Sequence, residues 1–311
     1  MKLYLLLILC VAIPLSGQNT QMPAWPPSGG QKQIQIWPGA VPDARAPKAK
    51  ETAAADPELI AGKQVIIVRN VSQPTMTVYP AKGKNTGAAV LVFPGGGYEV
   101  LAIDLEGTEA CDWLTSKGIT CVLLKYRVPA PRSEPHWGAY PQSPIALEDA
   151  QRAMGLVRLH AAEWHIDPHK FGVLGFSAGG HLVAAISTHY DKRLYPQVDA
   201  ADKESCRPDF GIAVYPGHLW LDKAQFVLNP NVPVTAHTPP TFLLQDEDDH
   251  VDNVNDSLVY YLALKKAGVP VEMHLYAQGG HAFGLRPTKF PVTNWPRLVE
   301  TWLGTIGITS E

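Results

Sequence analysis

The sequence predicts a protein of the α/β class, with a mostly parallel central sheet covered by helices on both faces. Two observations favour this class. From residue 88 onward, short apolar segments typical of buried strands alternate with longer segments of helical periodicity. In addition, no internal repeat or shift in composition divides the 311 residues, of which 46% are apolar. Strands that alternate with helices favour a parallel sheet, because each helix returns the chain to the same end of the sheet.

The predicted elements follow in order along the chain. Two antiparallel strands, 65–71 and 75–79, are joined around Ser72-Gln73-Pro74. The later strands are predicted at 88–93, 119–125, 171–174, 210–215, 241–245 and 271–276. The helices are predicted at 106–117, 144–164, 179–188, 253–267 and 295–303. We expect residues 61–311 to form a single domain, in which the short segment between Tyr215 and Pro239 is a small cap.

The longest predicted helix, 144–164, has one clear apolar stripe. The residues in this stripe are Ile145, Ala146, Ala150, Ala153, Met154, Val157 and Leu159. We expect the charged residues Glu148, Asp149, Arg152 and Arg158 to face water on the opposite side.

The N-terminus has the pattern of a targeting signal. Lys2 precedes an apolar segment from Leu3 to Ile13, and small residues follow it. This pattern predicts a signal peptide over 1–17, cleaved after Ser16 or Gly17, and a secreted or periplasmic protein. Residues 18–60 are then predicted to be an extended N-terminal arm, in which 34–39 is the one segment that the pattern predicts to be ordered.

The mature chain would contain three cysteines, Cys111, Cys121 and Cys206. An odd number in an oxidising compartment leaves at least one thiol unpaired. A bridge between Cys111 and Cys121 is conceivable, but we favour three small, buried hydrophobic residues.

Composition and motifs exclude several classes of partner. The net charge is −3 and no basic run exceeds a pair, so no nucleic-acid surface is expected. The chain has neither a dinucleotide fingerprint nor a phosphate-binding Gly-Lys-Ser/Thr motif, and no regular spacing of metal ligands. We therefore expect no metal and no organic cofactor, and no membrane association after removal of the signal. The oligomeric state stays open.

One pentapeptide predicts the chemistry. Gly175-Phe176-Ser177-Ala178-Gly179 follows a predicted strand and begins a predicted helix. A Gly-x-Ser-x-Gly turn in this context exposes the serine hydroxyl as a nucleophile. Because this hydroxyl is weak at neutral pH, it needs a histidine base, and the base needs an acid to fix its tautomer. The expected chain order is serine, acid, histidine.

Loops after two later strands supply both partners. The loop after strand 241–245 carries Asp246, Glu247, Asp248, Asp249 and Asp252. Asp249 is the first choice for the acid, Asp248 and Asp246 are the alternatives, and we expect the remaining carboxylates to form an exposed acidic loop. His281 follows Gly279-Gly280 after the strand 271–276, so we predict it to be the base.

The oxyanion of the reaction needs fixed N–H donors. Ala178, directly after the nucleophile, is one predicted donor, and Gly96 and Gly97 of the early Pro94-Gly95-Gly96-Gly97 loop are the others. Four further residues lie in or beside these loops and are candidates to line the substrate pocket, although a structural role is commoner for such side chains. They are Tyr98, His181, His218 and Trp220.

With these pieces in place, the chain resembles the α/β-hydrolase superfamily. More closely, it resembles the secreted bacterial carboxylesterases described as acetyl-xylan-esterase-like or xylanase-B-like. The matching motifs are Pro94-Gly95-Gly96-Gly97-Tyr98, Asp104-Leu105-Glu106-Gly107, Leu124-Lys125-Tyr126-Arg127, Gly175-Phe176-Ser177-Ala178-Gly179-Gly180-His181, Arg207-Pro208-Asp209, Thr238-Pro239-Pro240-Thr241-Phe242 and Gly279-Gly280-His281-Ala282-Phe283-Gly284.

The resemblance implies that the acid is the second residue of Asp248-Asp249, which supports Asp249. Two departures are visible. Pro94 stands where lipase-like relatives carry a histidine, and Asp252-Asn253 replaces the usual Val-Pro after the acid.

The resemblance and the motifs together imply a secreted serine carboxylesterase that acts on short-chain acyl esters. Acetyl groups on plant polysaccharide are the expected substrate. The alternatives are a lipase-like or feruloyl-type esterase, a prolyl-type peptidase, and a non-catalytic binding protein on a hydrolase scaffold. A xylanase is disfavoured because glycoside hydrolysis needs two opposed carboxylates.

Overall fold

A computed structural model describes residues 25–26, 30–44, 49–128, 144–220 and 225–309. The predicted signal peptide, 1–17, and the beginning of the predicted arm lie outside the described residues. Within those ranges, no helix has both the length and the apolarity required for a membrane span.

The described residues form eleven strands and five α-helices. The strands are β1 (Gln33–Gln35), β2 (Thr52–Ile60), β3 (Lys63–Arg69), β4 (Thr75–Tyr79), β5 (Ala89–Phe93), β6 (Val100–Ala102), β7 (Thr120–Lys125), β8 (Phe171–Phe176), β9 (Gly211–Val214), β10 (Thr241–Asp246) and β11 (Val271–Tyr276). The helices are α1 (Glu109–Ser116), α2 (Pro144–Leu159), α3 (Ala178–Thr188), α4 (Asn255–Lys266) and α5 (Trp295–Thr305). One turn of π-helix, Asp104–Thr108, leads directly into α1.

The main sheet has eight strands in the order β1-β4-β7-β5-β8-β9-β10-β11. The pairs from β7 to β11 are parallel, whereas β1 and β4 join one edge antiparallel. The predicted, mostly parallel α/β fold is therefore confirmed. In β5, β7, β8, β9 and β10 every residue is buried, which explains why their sequences are mostly apolar rather than alternating.

Helices cover both faces of this sheet, as two neighbouring residues of β8 show. A side chain on Gly175 would lie against the backbone of Gly179 in α3, whereas the ring of Phe176 packs 6.0 Å from that of Trp295 in α5. Because successive strand residues point to opposite faces, α3 and α5 lie on opposite sides of the sheet. The carboxyl ends of β8, β10 and β11 then deliver their loops to a common edge.

Two predictions about the N-terminal third are wrong. The strands predicted at 65–71 and 75–79 do not pair with each other: β3 pairs with β2 and β6 in a separate three-stranded sheet, and β4 pairs with β1 and β7. The connection contains no residue pair that favours a tight hairpin turn, and long-range pairing decides the partners. The predicted arm also differs, since β1 and β2 are strands of these two sheets.

Three of the four charged residues of α2 are buried, contrary to the prediction that they face water, and Arg158 is half-buried. Glu148, Asp149 and Arg152 are each at most 1% exposed, and the apolar Leu159 is 42% exposed. Arg127 donates to Asp149 at 2.9 Å and to Glu148 at 2.8 Å, and the indole of Trp37 donates to Asp149 at 2.9 Å. The sequence around α2 could not reveal this, because the covering residues come from distant parts of the chain.

Cys111 of α1 and Cys121 of β7 form a disulfide, and Cys206 is a buried free thiol. The interpretation of all three cysteines as small buried hydrophobes is therefore wrong for the first two. The bridge ties α1 to β7, the strand that leads to Arg127.

We expect Asp149→Ala to lower the free energy of unfolding by about 3–5 kcal/mol, because it leaves the buried Arg127 guanidinium without a main partner. Denaturant unfolding measures the loss. Asp112→Ala is the control, since its salt bridge to Lys82 is exposed and contributes little. Equal stability of the two variants would contradict the proposed importance of the buried pair.

Candidate active site

Ser177 occupies the tight turn between β8 and α3. Its backbone has φ 53° and ψ −120°, a conformation that a non-glycine residue rarely adopts. The turn is possible because its neighbours lack side chains: a Cβ on Gly175 would lie 2.1 Å from the carbonyl oxygen of Gly179, and one on Gly179 would lie 2.0 Å from that of Phe93. The predicted Gly-x-Ser-x-Gly turn thus has a direct steric cause.

Hydrogen bonds join the three residues that the sequence predicts as nucleophile, base and acid. His281 Nε2 lies 3.0 Å from Ser177 Oγ, and His281 Nδ1 lies 2.7 Å from Asp249 Oδ2. Because a carboxylate only accepts, Nδ1 carries the proton and Nε2 is left to accept from the serine hydroxyl. Asp249 is itself fixed by the amide of Gln245, which donates to Oδ2 at 3.0 Å.

The other two candidate acids have different surroundings. Asp248 Oδ1 accepts the backbone N–H groups of Gly279 at 2.9 Å and Gly280 at 2.8 Å, so it holds the loop that carries His281. Asp246 is fully buried, and neither of its carboxylate oxygens has a hydrogen-bond partner in the described part of the chain. Burial, reinforced by the charges of Asp248 and Asp249, raises the pKa of Asp246 to about 7. Of the three, the structure puts Asp249 on the histidine ring.

The prediction that the remaining carboxylates form an exposed acidic loop is only partly right. Glu247 is exposed, but Asp252 is 6% exposed and accepts a hydrogen bond from Ser177 Oγ at 3.2 Å. Asp252 also lies 3.8 Å from His281 Nε2. Sequence reasoning missed this contact, although the unusual Asp252-Asn253 pair was a visible departure from the family pattern.

The predicted oxyanion loop lies directly beside Ser177. A Cβ on Gly95 would approach Ser177 Cβ to 2.9 Å, and Gly96 has φ +128°, which disfavours a side chain there. Ala178 is the first residue of α3, where amides lack intrahelical acceptors and the helix dipole is positive. The structure therefore brings Ala178 and the loop that contains Gly96 and Gly97 next to Ser177, where N–H groups can stabilise negative charge.

Glu106 is a second residue that sequence reasoning did not assign. It is 2% exposed and accepts the N–H of Gly95 at 2.7 Å and the hydroxyl of Tyr215 at 2.8 Å. Burial raises the pKa of Glu106, and those two hydrogen bonds oppose the rise. The Tyr215 hydroxyl accepts the N–H of Gly284 at 3.1 Å, and its ring packs 4.8 Å from that of His281. Glu106 thus connects the oxyanion loop to the histidine loop.

The charges around His281 favour its protonated form. Burial alone lowers the pKa of His281, but the hydrogen bond to Asp249 and the charges of Asp249, Asp252 and Glu106 outweigh burial. The net result is a pKa above the ordinary value of 6.5. A histidine in this environment can accept a proton from Ser177 and stabilise the positive charge that follows.

The predicted pocket residues divide into two groups. Tyr98, His181 and His218 form a buried cluster in which the Tyr98 hydroxyl lies 2.7 Å from His181 Nδ1. Tyr98 and His181 also line a cavity of about 150 Å³ with Leu147, Leu182 and Ala185. Burial, followed by the charge of His189, lowers the pKa of His181 to about 4, so this ring is neutral near pH 7. Half-buried Trp220 is held separately, by Asp256 and Gln225.

The chain is similar to a family model and to curated relatives. The family model described as BD-FAE matches residues 77–215. An acetylxylan esterase from Xylanibacter ruminicola is 31% identical over 222 residues, which cover 64% of this chain and 42% of the relative. Endo-1,4-beta-xylanase B from Butyrivibrio fibrisolvens is 29% identical, over 65% of this chain and 33% of the relative. The chain thus spans less than half the length of these two curated relatives.

A solved structure matches over nearly its full length. An acetyl ester-xyloside bifunctional hydrolase from Caldicellulosiruptor lactoaceticus has a TM-score of 0.71 and 32% identity, and the match covers 90% of this chain and 97% of that one. Together with the sheet order and the turn at Ser177, this match defines an α/β hydrolase. The chain belongs to the acetylxylan-esterase-like family of serine ester hydrolases within that superfamily.

Proposed function

We propose that this protein is a carboxylesterase that hydrolyses short-chain acyl esters through Ser177, His281 and Asp249. The observation that carries the proposal is the hydrogen-bond chain from Ser177 Oγ to His281 Nε2, at 3.0 Å, and from His281 Nδ1 to Asp249 Oδ2, at 2.7 Å. Such a chain gives a serine hydroxyl a base, and gives that base a fixed tautomer and a counter-charge.

The reaction follows from these positions in two halves. His281 Nε2 takes the hydroxyl proton while Ser177 Oγ attacks the ester carbonyl, and the N–H groups of Gly96, Gly97 and Ala178 stabilise the resulting oxyanion. His281 then donates the proton to the departing alcohol oxygen, and an acyl-enzyme forms on Ser177. In the second half, His281 takes a proton from water, the hydroxide attacks the acyl carbonyl, and Ser177 leaves with the proton from His281.

We infer that the substrate is an acetyl ester of plant polysaccharide and that the protein acts outside the cytoplasm. The names of the relatives from Xylanibacter and Caldicellulosiruptor support an acetylated-sugar substrate. The N-terminal pattern over 1–17 supports export, and the Cys111–Cys121 bridge is compatible with an oxidising compartment. We also propose a role in substrate binding for Tyr98, His181, His218 and Trp220.

We expect Asp249→Asn to lower kcat for p-nitrophenyl acetate on the order of a thousandfold or more, because the amide removes the counter-charge and favours the wrong histidine tautomer. Asp246→Asn and Asp248→Asn should cost much less, since neither carboxylate contacts the ring. In the pH profile of kcat/KM, the midpoint of the acidic limb should lie above pH 6.5 in the wild type. His281 must lose its proton to act as the base, and the pKa of His281 is raised above 6.5. In Asp249→Asn this limb should move to lower pH.

The exposed Glu247→Gln variant, in the same loop, is the charge-matched control for this series and should behave like the wild type. A larger loss in Asp246→Asn or Asp248→Asn than in Asp249→Asn would contradict the assignment of the acid. So would an acidic limb that stays in place when Asp249 is changed.

We expect p-nitrophenyl acetate to be hydrolysed with a higher kcat/KM than the butyrate ester, and the octanoate ester to be the poorest of the three. Acetate release from acetylated xylan, measured by chromatography, tests the polymer directly. A preference for octanoate would favour the lipase-like alternative. Activity on short aryl esters without acetate release from xylan would retain the esterase proposal and contradict the polysaccharide substrate.

A further inference from the structure

Asp252 is a second buried carboxylate at the nucleophile, and the mechanism above does not use it. Its Oδ2 accepts the Ser177 hydroxyl at 3.2 Å and lies 3.8 Å from His281 Nε2. Its backbone is fixed on both sides, because the N–H donates to Asp249 Oδ1 at 3.0 Å and the carbonyl accepts from Gln245 at 3.0 Å. Asp252 is therefore held next to Ser177 by Asp249 and by Gln245, and Gln245 also holds Asp249.

The structure leaves space for this carboxylate at Gly217. A Cβ on Gly217 would lie 2.2 Å from Asp252 Oδ1 and 2.4 Å from its carboxyl carbon, and the N–H of Gly217 donates to the carbonyl of Ser177 at 3.4 Å. The loop after β9 thus packs its backbone directly on the Asp252 side chain. A residue with a side chain at position 217 would push the carboxylate away from the nucleophile.

The position of Asp252 determines which part of a substrate it can touch. The carbonyl oxygen of a bound ester would point toward the N–H donors of Gly96, Gly97 and Ala178. His281 Nε2 must reach the departing alcohol oxygen to protonate it, so the alcohol part of the ester lies beside Nε2. Because Asp252 Oδ2 is within 3.8 Å of Nε2, it faces the alcohol part. A carboxylate on the oxyanion side would instead oppose the developing negative charge.

We propose that Asp252 determines the specificity for the alcohol part of the substrate, by accepting a hydrogen bond from a hydroxyl on the carbon next to the ester. The inference rests on the proposed esterase function and adds the class of alcohol: polyols and sugars rather than simple alkyl alcohols. A sugar acetate commonly has such a neighbouring hydroxyl. An alkyl alcohol would place methylene groups against the buried carboxylate, which is unfavourable.

The contact between Asp252 and the substrate hydroxyl becomes stronger during the reaction, because Ser177 competes for Asp252 only at the start. The single proton of the serine hydroxyl is shared between two acceptors, Asp252 Oδ2 at 3.2 Å and His281 Nε2 at 3.0 Å, and once it moves to His281 the serine no longer donates to Asp252. A substrate hydroxyl then replaces it at the stage when the acyl-enzyme forms. An interaction that strengthens along the reaction raises kcat as well as kcat/KM.

The test compares 2-hydroxyethyl acetate with ethyl acetate, which differ by one hydroxyl on the carbon next to the ester. We expect the wild type to have a kcat/KM at least about tenfold higher for 2-hydroxyethyl acetate, the effect of one hydrogen bond to a charged group. Asp252→Val should lower this ratio by about tenfold, and Asp252→Asn should lower it less, because the amide oxygen still accepts. Glu247→Gln, an exposed charge-matched control, should keep the wild-type ratio.

The outcomes separate this inference from the proposed function. A wild-type ratio near one, or equal losses on both esters in Asp252→Val, would overturn the inference and assign Asp252 to His281 alone. If Asp252→Val does not fold, Asp252→Ala, which also removes the acceptor, decides. A wild type that hydrolyses neither ester nor p-nitrophenyl acetate would contradict the proposed esterase function itself, and the inference with it.

Discussion

The turn at Ser177 is held by contacts between backbones, and the geometry of the site depends on them. The chain leaves β8, reverses at Ser177 and enters α3 so closely that side chains on Gly175 or Gly179 would collide with neighbouring carbonyl groups. The end of β5 lies against the same turn, so the loop that follows β5 is packed directly on Ser177. The unusual backbone of Ser177 is stable because the neighbouring strands β5 and β8 are fully buried and hold it in place.

A set of buried and half-buried carboxylates extends this constraint to the loops. Asp248 fixes the glycines before His281, Asp249 fixes the histidine ring, and Glu106 joins the oxyanion loop to Tyr215, which packs on that ring. Each carboxylate accepts hydrogen bonds from groups of a different loop, so the three loops are fixed relative to one another. These carboxylates make the surroundings of His281 negative, which favours the protonated, positively charged form of its ring.

Local patterns in the sequence predicted the parallel part of the fold and the three residues of the hydrogen-bond chain. The Gly-x-Ser-x-Gly motif, the chain order and the strand ends were sufficient, because each depends on a few neighbouring residues. The predictions that were wrong depend on contacts between residues that are distant in the chain. The charges of α2 are buried by Trp37 and Arg127, far away in the chain, and β3 and β4 find partners in different sheets. The contact of Asp252 with Ser177 joins two loops, so the spacing within neither loop could reveal it.

The central claim is that Ser177 forms a covalent acyl intermediate, and mass spectrometry of an acid-quenched reaction with p-nitrophenyl acetate tests it most directly. We predict an acetyl group on the peptide that contains Ser177 and none on that peptide in Ser177→Ala. An acetyl group on another residue, or full turnover by the Ala variant without any adduct, would contradict an acyl intermediate on Ser177.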